Sequence, residues 1–213
     1  MTLELTNAEL RDNAPRAPAL LDRFSLGVPI PIRLNADNLK ADPAAVAYLE
    51  QNASDAFHLI RLACTFDPSE TEPFREALLR VTLSGHAIAW AMHPSRSFDF
   101  EDISKKLNID VGLKFGVVEG KAAYEQGGGS KREQIFIEAK GLQENAPHWH
   151  FRSTPARKLD GSFPLALIAR SRKDERTSGR VELKVTVERT KFGLLTYATP
   201  ASPSPSVLMF DLA

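Results

Sequence analysis

The nine residues from Arg180 to Glu188 constrain the fold of this 213-residue chain more than any other stretch. Val181, Leu183 and every second residue onward to Val187 are apolar, and the residues between them are charged or are threonine. Successive side chains of a strand point to opposite faces, so this period of two predicts a half-buried β-strand in a sheet with one wet face. We expect its apolar side to share a core with Trp149, Leu165 and Leu167.

Further runs of strand-like sequence surround this segment and are separated by Gly, Pro and Asp turns. They cover residues 24–34, 57–66, 77–83, 86–92, 134–140, 148–151 and 163–170. Helical patterning is scarce. The best candidate opens at Asp42-Pro43, a favourable N-cap followed by proline at the first helical position, and ends near Asn52. The sequence therefore predicts a mostly β fold, an antiparallel β-sandwich with one or two short helices at its periphery.

Composition along the chain suggests three segments. Residues 1–23 read as an N-terminal extension, and 24–196 as one sandwich domain because no linker interrupts them. Pro29 and Pro31 place the first strand at a sheet edge, since proline cannot donate to a ladder. Residues 197–213 read as a Pro/Ser linker and an apolar C-terminal peptide. The run Val207–Phe210 is too apolar to stay in water, so we expect it to add a strand to its own sheet or to a neighbouring molecule.

Charge and cysteine content limit the functional classes. The chain has 27 Lys plus Arg and 27 Asp plus Glu, so its formal net charge is zero and nucleic acid is not an expected partner. Cys64 is the single cysteine, which fits a reducing compartment. With no secretory signal and no apolar run of transmembrane length in this sequence, we expect a soluble cytoplasmic protein. No cofactor is predicted.

One pattern points to metal chemistry. His148 and His150 are two residues apart, so in a strand both imidazoles would face the same way and could bind one ion. A third ligand would have to come through the fold from His58, His86 or His93. A metal-dependent enzyme using His148 and His150 is therefore one alternative. No nucleophile elbow of the Gly-x-Ser-x-Gly type is present, and Cys64 has the apolar neighbours of a core thiol, so we lean away from an enzyme.

Two segments are candidates for binding. Arg172, Lys173 and Arg176 form a local basic cluster in a charged loop, and the apolar peptide Val207, Leu208, Met209 and Phe210 could pair with another chain. Our leading hypothesis is a non-catalytic β-sandwich module for binding or assembly. It would act through protein–protein contacts, with a protein partner or with copies of itself.

A second alternative is a pore-forming or membrane-inserting protein. Residues 109–142 resemble a long hairpin, in which Ile109–Val117 supplies nine alternating residues and the loop contains Gly127-Gly128-Gly129-Ser130. About 9–11 alternating residues cross a bilayer as a strand. The same alternation is equally typical of a soluble antiparallel sheet, so both interpretations remain open.

Overall fold

The computed structural model describes residues 23–39, 43–99, 134–191, 195–202 and 207–212. Within these ranges the chain forms one helix and many strands. The helix is α1 (Pro43–Gln51), and the strands are β1 (Phe24–Leu26), β2 (Ile30–Arg33), β3 (Asp55–Phe66), β4 (Phe74–Leu83), β5 (Ile88–His93), β6 (Arg96–Phe98), β7 (Ile135–Lys140), β8 (His148–Arg152), β9 (Gly161–Arg172), β10 (Thr177–Lys191), β11 (Leu195–Ala201) and β12 (Val207–Leu212). Among the described residues, no helix has the length and apolar content needed to span a bilayer.

The strands form two antiparallel sheets. In sheet 1, β1 and β2 lie end to end along one edge of β3, which pairs with β9, and β9 pairs with β5. In sheet 2, β11 and β12 lie end to end along β10, followed by β4, β8, β7 and β6. One apolar core drawn from both sheets lies between them. The predicted antiparallel β-sandwich is confirmed.

The predicted face of β10 is also confirmed. Val181, Leu183, Val185 and Val187 are fully buried, whereas Lys184 is exposed. Trp149, Leu165 and Leu167 belong to the same core as these four residues. The indole nitrogen of Trp149 donates a hydrogen bond to the Pro94 carbonyl at 3.0 Å, so the largest core side chain leaves no polar atom unsatisfied.

Helix α1 begins and ends where the sequence predicts, and it packs on the outer face of sheet 1. Apolar side chains of the helix and of residues 32–39 form a second cluster with Phe57, Leu59, Ala166 and Ile168. Arg170 stacks over Trp90 at 5.4 Å and pairs with Asp55 at 2.6 Å beside this cluster. One of the two outer faces of the sandwich is thereby covered.

Strand β5 differs from its prediction. Strict alternation places Trp90 and Met92 on one face, but a β-bulge interrupts the β5–β9 register between Ala89 and Ala91. Ala89 and Met92 therefore both enter the central core, while Trp90 joins the cluster under α1. An extra residue in one strand reverses the faces beyond it, and a period-two pattern alone does not reveal where that happens.

The first edge strand is divided. The sequence predicts one strand over 24–34, whereas the structure has β1 and β2 separated by Gly27-Val28-Pro29. These three residues lie opposite two residues of β3, since Leu26 pairs with Cys64 and Ile30 with Arg61. The prediction that this segment forms a sheet edge is confirmed.

The sequence predicts a Pro/Ser linker and an apolar C-terminal peptide over 197–213, and the structure shows a strand on each side of residues 203–206. Leu195–Ala201 forms β11 and Val207–Leu212 forms β12, and both pair with β10. Pro200 is tolerated within β11 because an edge strand needs ladder hydrogen bonds on one side only. The expectation that Val207–Phe210 adds a strand to its own sheet is confirmed, so the sandwich extends past residue 196.

Some predictions fall beyond the described ranges. The N-terminal extension 1–23 is described only at Arg23, and Ile109–Val117 and Gly127–Ser130 lie outside the described residues. The return half of the predicted hairpin is β7, which is built into sheet 2 between β6 and β8. Membrane insertion by residues 109–142 stays a prediction.

Candidate functional site

The two outer faces of the sandwich differ. The apolar cluster under α1 covers sheet 1, whereas no described helix packs on the outer face of sheet 2. This second surface, which we call the open face, consists of the outward side chains of β6, β7, β8, β4 and β10. The ladder of an antiparallel sheet sets which side chains of neighbouring strands lie next to one another on such a face.

Strand register arranges the open face in transverse rows, because directly paired residues point to the same side of a sheet. One row is Arg96, Glu138, His150, Leu78 and Lys184. The next row is Lys140, His148, Arg80, Glu182 and Val207. The sequence separates the members of each row widely, so only the fold brings them together.

Glu138 is an acid of the open face with two cationic partners. Its carboxylate lies 3.1 Å from Lys140 Nζ and 3.2 Å from an Arg96 terminal nitrogen. The hydrogen bond from Lys140, helped by that from Arg96, holds the pKa of Glu138 below its ordinary value and outweighs the opposing effect of burial. The carboxylate is therefore kept ionised and internally paired on this surface.

The predicted histidine pair lies on the open face. His148 and His150 point outward from β8, while Trp149 and Phe151 point into the core. His150 Nε2 lies 3.2 Å from a carboxylate oxygen of Glu76, whose other oxygen accepts a hydrogen bond from Thr186 at 3.4 Å. The ranges that the structure describes contain no group of three His, Cys, Asp or Glu side chains that could hold a metal ion. The metal site at His148 and His150 therefore stays a prediction.

A shallow depression lies at the centre of the open face. Leu78, Arg80, Glu182 and Lys184 line it, and the space that it encloses is about 10 Å³. Glu182 is paired with Arg180 at 3.1 Å, whereas no described acidic side chain forms an ion pair with Arg80 or Lys184. Small-molecule sites measure roughly 300–1,000 Å³ and bury most of their ligand. This depression is far smaller than such a site, so it does not enclose a small molecule.

The other predicted binding residues lie elsewhere. Arg172, Lys173 and Arg176 are exposed at the turn between β9 and β10, at one end of the sandwich. Within this turn, Glu175 faces away from solvent toward the connection after β4, where it accepts a hydrogen bond from the His86 backbone N–H at 3.1 Å. The fold does not bring this basic turn together with the histidine pair, and its role in binding stays a prediction.

The C-terminal candidates divide between core and surface. Phe210 is buried, Val207 and Leu208 are half-buried, and Met209 is 66% exposed. Phe210 is therefore used within its own chain, and of these four residues Met209 is the one left open to solvent. Binding of another chain by the exposed part of β12 stays a prediction.

Cys64 behaves as the sequence predicts for a core residue. Its side chain is fully buried, and burial raises the pKa of the thiol well above its ordinary value. A thiol held in its neutral form is a poor nucleophile. The described environment of Cys64 gives it a structural role.

The residues that sequence reasoning missed are Leu78, Arg80, Glu182 and Lys184. Alternation in β4 and β10 predicts that they point outward, so the signal for exposure was present. What the sequence lacks is the register that places Leu78 between His150 and Lys184. In the sequence of each strand these residues are separate outward positions. Only the pairing of the strands shows that they form one continuous surface.

Fold and surface together define a β-sandwich with one face covered by α1 and a second face on which no described helix packs. No protein-family model matches the chain. A search of curated proteins finds no match. Among solved structures, one similar chain is ACE19, the collagen-binding subdomain of the Enterococcus faecalis surface protein ACE, with a TM-score of 0.30 and 7% identity over 72% of this chain and 87% of that chain. At that distance the likeness identifies no function.

Proposed function

We propose that this chain is a non-catalytic β-sandwich binding module whose open face contacts an acidic surface of a protein partner. The observation that carries the proposal is the centre of the open face, where apolar Leu78 has Lys184 as its partner on β10 and Arg80 two residues further along β4. Both cations are exposed, and no described carboxylate neutralises either of them. An apolar centre with a charged rim is the usual anatomy of a protein–protein contact.

Charge arrangement supports an acidic partner. The glutamates of the two rows are paired within the sheet, Glu138 with Lys140 and Arg96, and Glu182 with Arg180. The excess positive charge of this region therefore remains at Arg80 and Lys184. Complementary potentials steer association and oppose wrong partners, so a partner with carboxylates around an apolar side chain suits this surface best.

The test first identifies a partner and then measures the affinity of that partner for the chain directly. The purified protein is immobilised, proteins retained from an extract of its own cells are identified, and each candidate is purified and titrated. Binding is compared between the natural chain and the double variant Arg80→Glu/Lys184→Glu. We expect at least tenfold weaker binding, about 1.4 kcal/mol, because like charges then face each other across the contact.

The matched control is Arg172→Glu/Lys173→Glu, which makes the same change in net charge at the basic turn. This variant should bind the partner as the natural chain does. If the control loses binding and the open-face variant retains it, the contact lies at the turn after β9 and the proposed surface is wrong. Circular dichroism and melting temperature of both variants establish that the sandwich is intact.

A further inference from the structure

Glu182 is a carboxylate of the open face that lies beside both cations of the proposed contact. It pairs directly with Arg80 across the β10–β4 ladder, and Lys184 follows two residues along its own strand. Directly paired residues of antiparallel strands have Cβ atoms about 4.5–5.5 Å apart, and alternate residues of one strand share a face at about 6.8 Å. All three side chains line the same depression, so Glu182 has two cations of the contact within its reach.

The Glu182 carboxylate is nevertheless bound to a third cation. One of its oxygens lies 3.1 Å from a terminal nitrogen of Arg180, two residues back on the same strand. The Glu182 side chain is only 20% exposed, so this ion pair is partly shielded from solvent and salt. Within the part of the chain that the structure describes, neither Arg80 nor Lys184 forms an ion pair with Glu182.

The cross-strand partners of Arg180 carry no charge. They are Thr82 on β4 and Met209 on β12. A carboxylate at either position would compete with Glu182 for the guanidinium group, because directly paired side chains lie next to one another. Arg180 is therefore placed to bind Glu182, and it is the one cation beside Glu182 that does not line the depression.

We infer that Arg180 is a positioning residue of the open-face contact, a role that rests on the proposed function: it holds the Glu182 carboxylate away from Arg80 and Lys184. Without Arg180, Glu182 would pair with one of these two cations and neutralise it. The carboxylate would also stand where the carboxylates of the partner bind. Like charges in a contact oppose association, so the Arg180–Glu182 pair keeps this surface available to an acidic partner.

Binding of fluorescently labelled poly-glutamate at low ionic strength, followed by anisotropy, tests this role. Poly-glutamate supplies carboxylates and does not require that the natural partner be known. We expect Arg180→Gln to weaken binding about threefold, because the effect of one exposed ion pair is of that size. Arg172→Gln is the matched control, which removes one positive charge at the basic turn and should have a clearly smaller effect. Arg180→Lys keeps a cation beside Glu182 and should bind as the natural chain does.

The variant Glu182→Gln separates positioning from direct contact. With a neutral side chain at this position there is no carboxylate to hold away, so Glu182→Gln alone should bind poly-glutamate at least as tightly as the natural chain. Adding Arg180→Gln to Glu182→Gln should then cost no more than adding Arg172→Gln. A loss on removing Arg180 that is equally large with and without the Glu182 carboxylate would show that Arg180 contacts the probe itself, and would overturn the positioning role.

The same probe distinguishes failure of this role from failure of the proposed function. Arg80→Glu/Lys184→Glu should bind poly-glutamate more weakly than Arg172→Glu/Lys173→Glu does. Equal binding by these two double variants would mean that the open face is not the site, and both proposals would be wrong. If Arg80 and Lys184 are required but Arg180→Gln behaves as Arg172→Gln does, only the positioning role is wrong. Melting temperatures establish that each variant is folded.

Discussion

At the scale of single residues, stability rests on side chains that both sheets enclose. Leu183 is fully buried at the middle of β10, where it pairs with Leu79 of β4. Its neighbour Lys184 points to the open face and is exposed. Strand β10 thus offers a core position and a surface position one residue apart. Substitutions at the two positions compare the loss of core packing with a change in the same strand that removes no core packing.

We predict that Leu183→Ala lowers the free energy of unfolding by about 2–5 kcal/mol, because it leaves a cavity in a packed core. Lys184→Ala is the matched control and should change it by less than about 0.5 kcal/mol, as exposed substitutions do. Urea denaturation followed by tryptophan fluorescence measures both. Equal effects of the two substitutions would contradict the assigned face of β10.

At the scale of elements, cross-strand ion pairs join the strands of the open face. Glu138 of β7 bonds to Arg96 of the neighbouring strand β6, and to Lys140 on its own strand. Strand β6 comprises three residues only and pairs with β7 alone among the described strands. The Arg96–Glu138 contact therefore helps to hold a short edge strand in register.

The pKa of Glu138 gives this contact a pH dependence. Because its folded pKa lies below the ordinary value of 4.5, the carboxylate stabilises the folded state at pH values above 4.5. This contribution is lost as pH falls through the lower folded value, since the group is then protonated in both states. Glu138→Gln should therefore be less stable than the natural chain at pH 7 and equally stable well below pH 4.

Thermal melting of both proteins across this pH range checks the prediction. Glu188→Gln is the control, because it makes the same substitution on β10 without touching the contacts of Glu138 with Arg96 and Lys140. It separates the effect of those contacts from that of net charge. A stability difference for Glu138→Gln that stays constant down to pH 3 would show that the Glu138 carboxylate does not act through its charge.

At the scale of the whole molecule, the two lateral sides of the sandwich differ. On one side, backbone hydrogen bonds tie the edge of β5 to the β7–β8 connection, from the Ala89 N–H to the Glu144 carbonyl at 2.9 Å and from the Gln143 N–H to the Ala89 carbonyl at 2.8 Å. On the other side, which we call the divided side, each edge carries two short strands end to end: β1 and β2 along β3, and β11 and β12 along β10.

We predict that the divided side opens first. Short strands with one neighbour have few contacts to lose, so they exchange amide hydrogens through local opening at low free energy. In hydrogen-exchange mass spectrometry, peptides covering 207–212 and 30–33 should exchange faster than those covering β4 and β9, with the β5 region slow as well. Uniform protection across β4, β9 and β12 would contradict this order.

Several elements could be predicted from the sequence because their cause is local. The alternation in β10 reflects the backbone period of a strand, and the Asp42-Pro43 start of α1 reflects helix-end chemistry. The apolar run Val207–Phe210 could be assigned to a sheet because no extended segment of that composition stays in water. Each of these inferences needs only neighbouring residues.

Tertiary structure decided the rest. The bulge at Ala89–Ala91, the strand that contains Pro200 and the register that surrounds Leu78 with His150, Arg80 and Lys184 all depend on partners distant in sequence. A strand's own residues specify which side faces inward, but the packing between the two sheets selects its neighbour and its offset along that neighbour. The open face exists only in that register, which is why the strand residues were predictable and the surface they form was not.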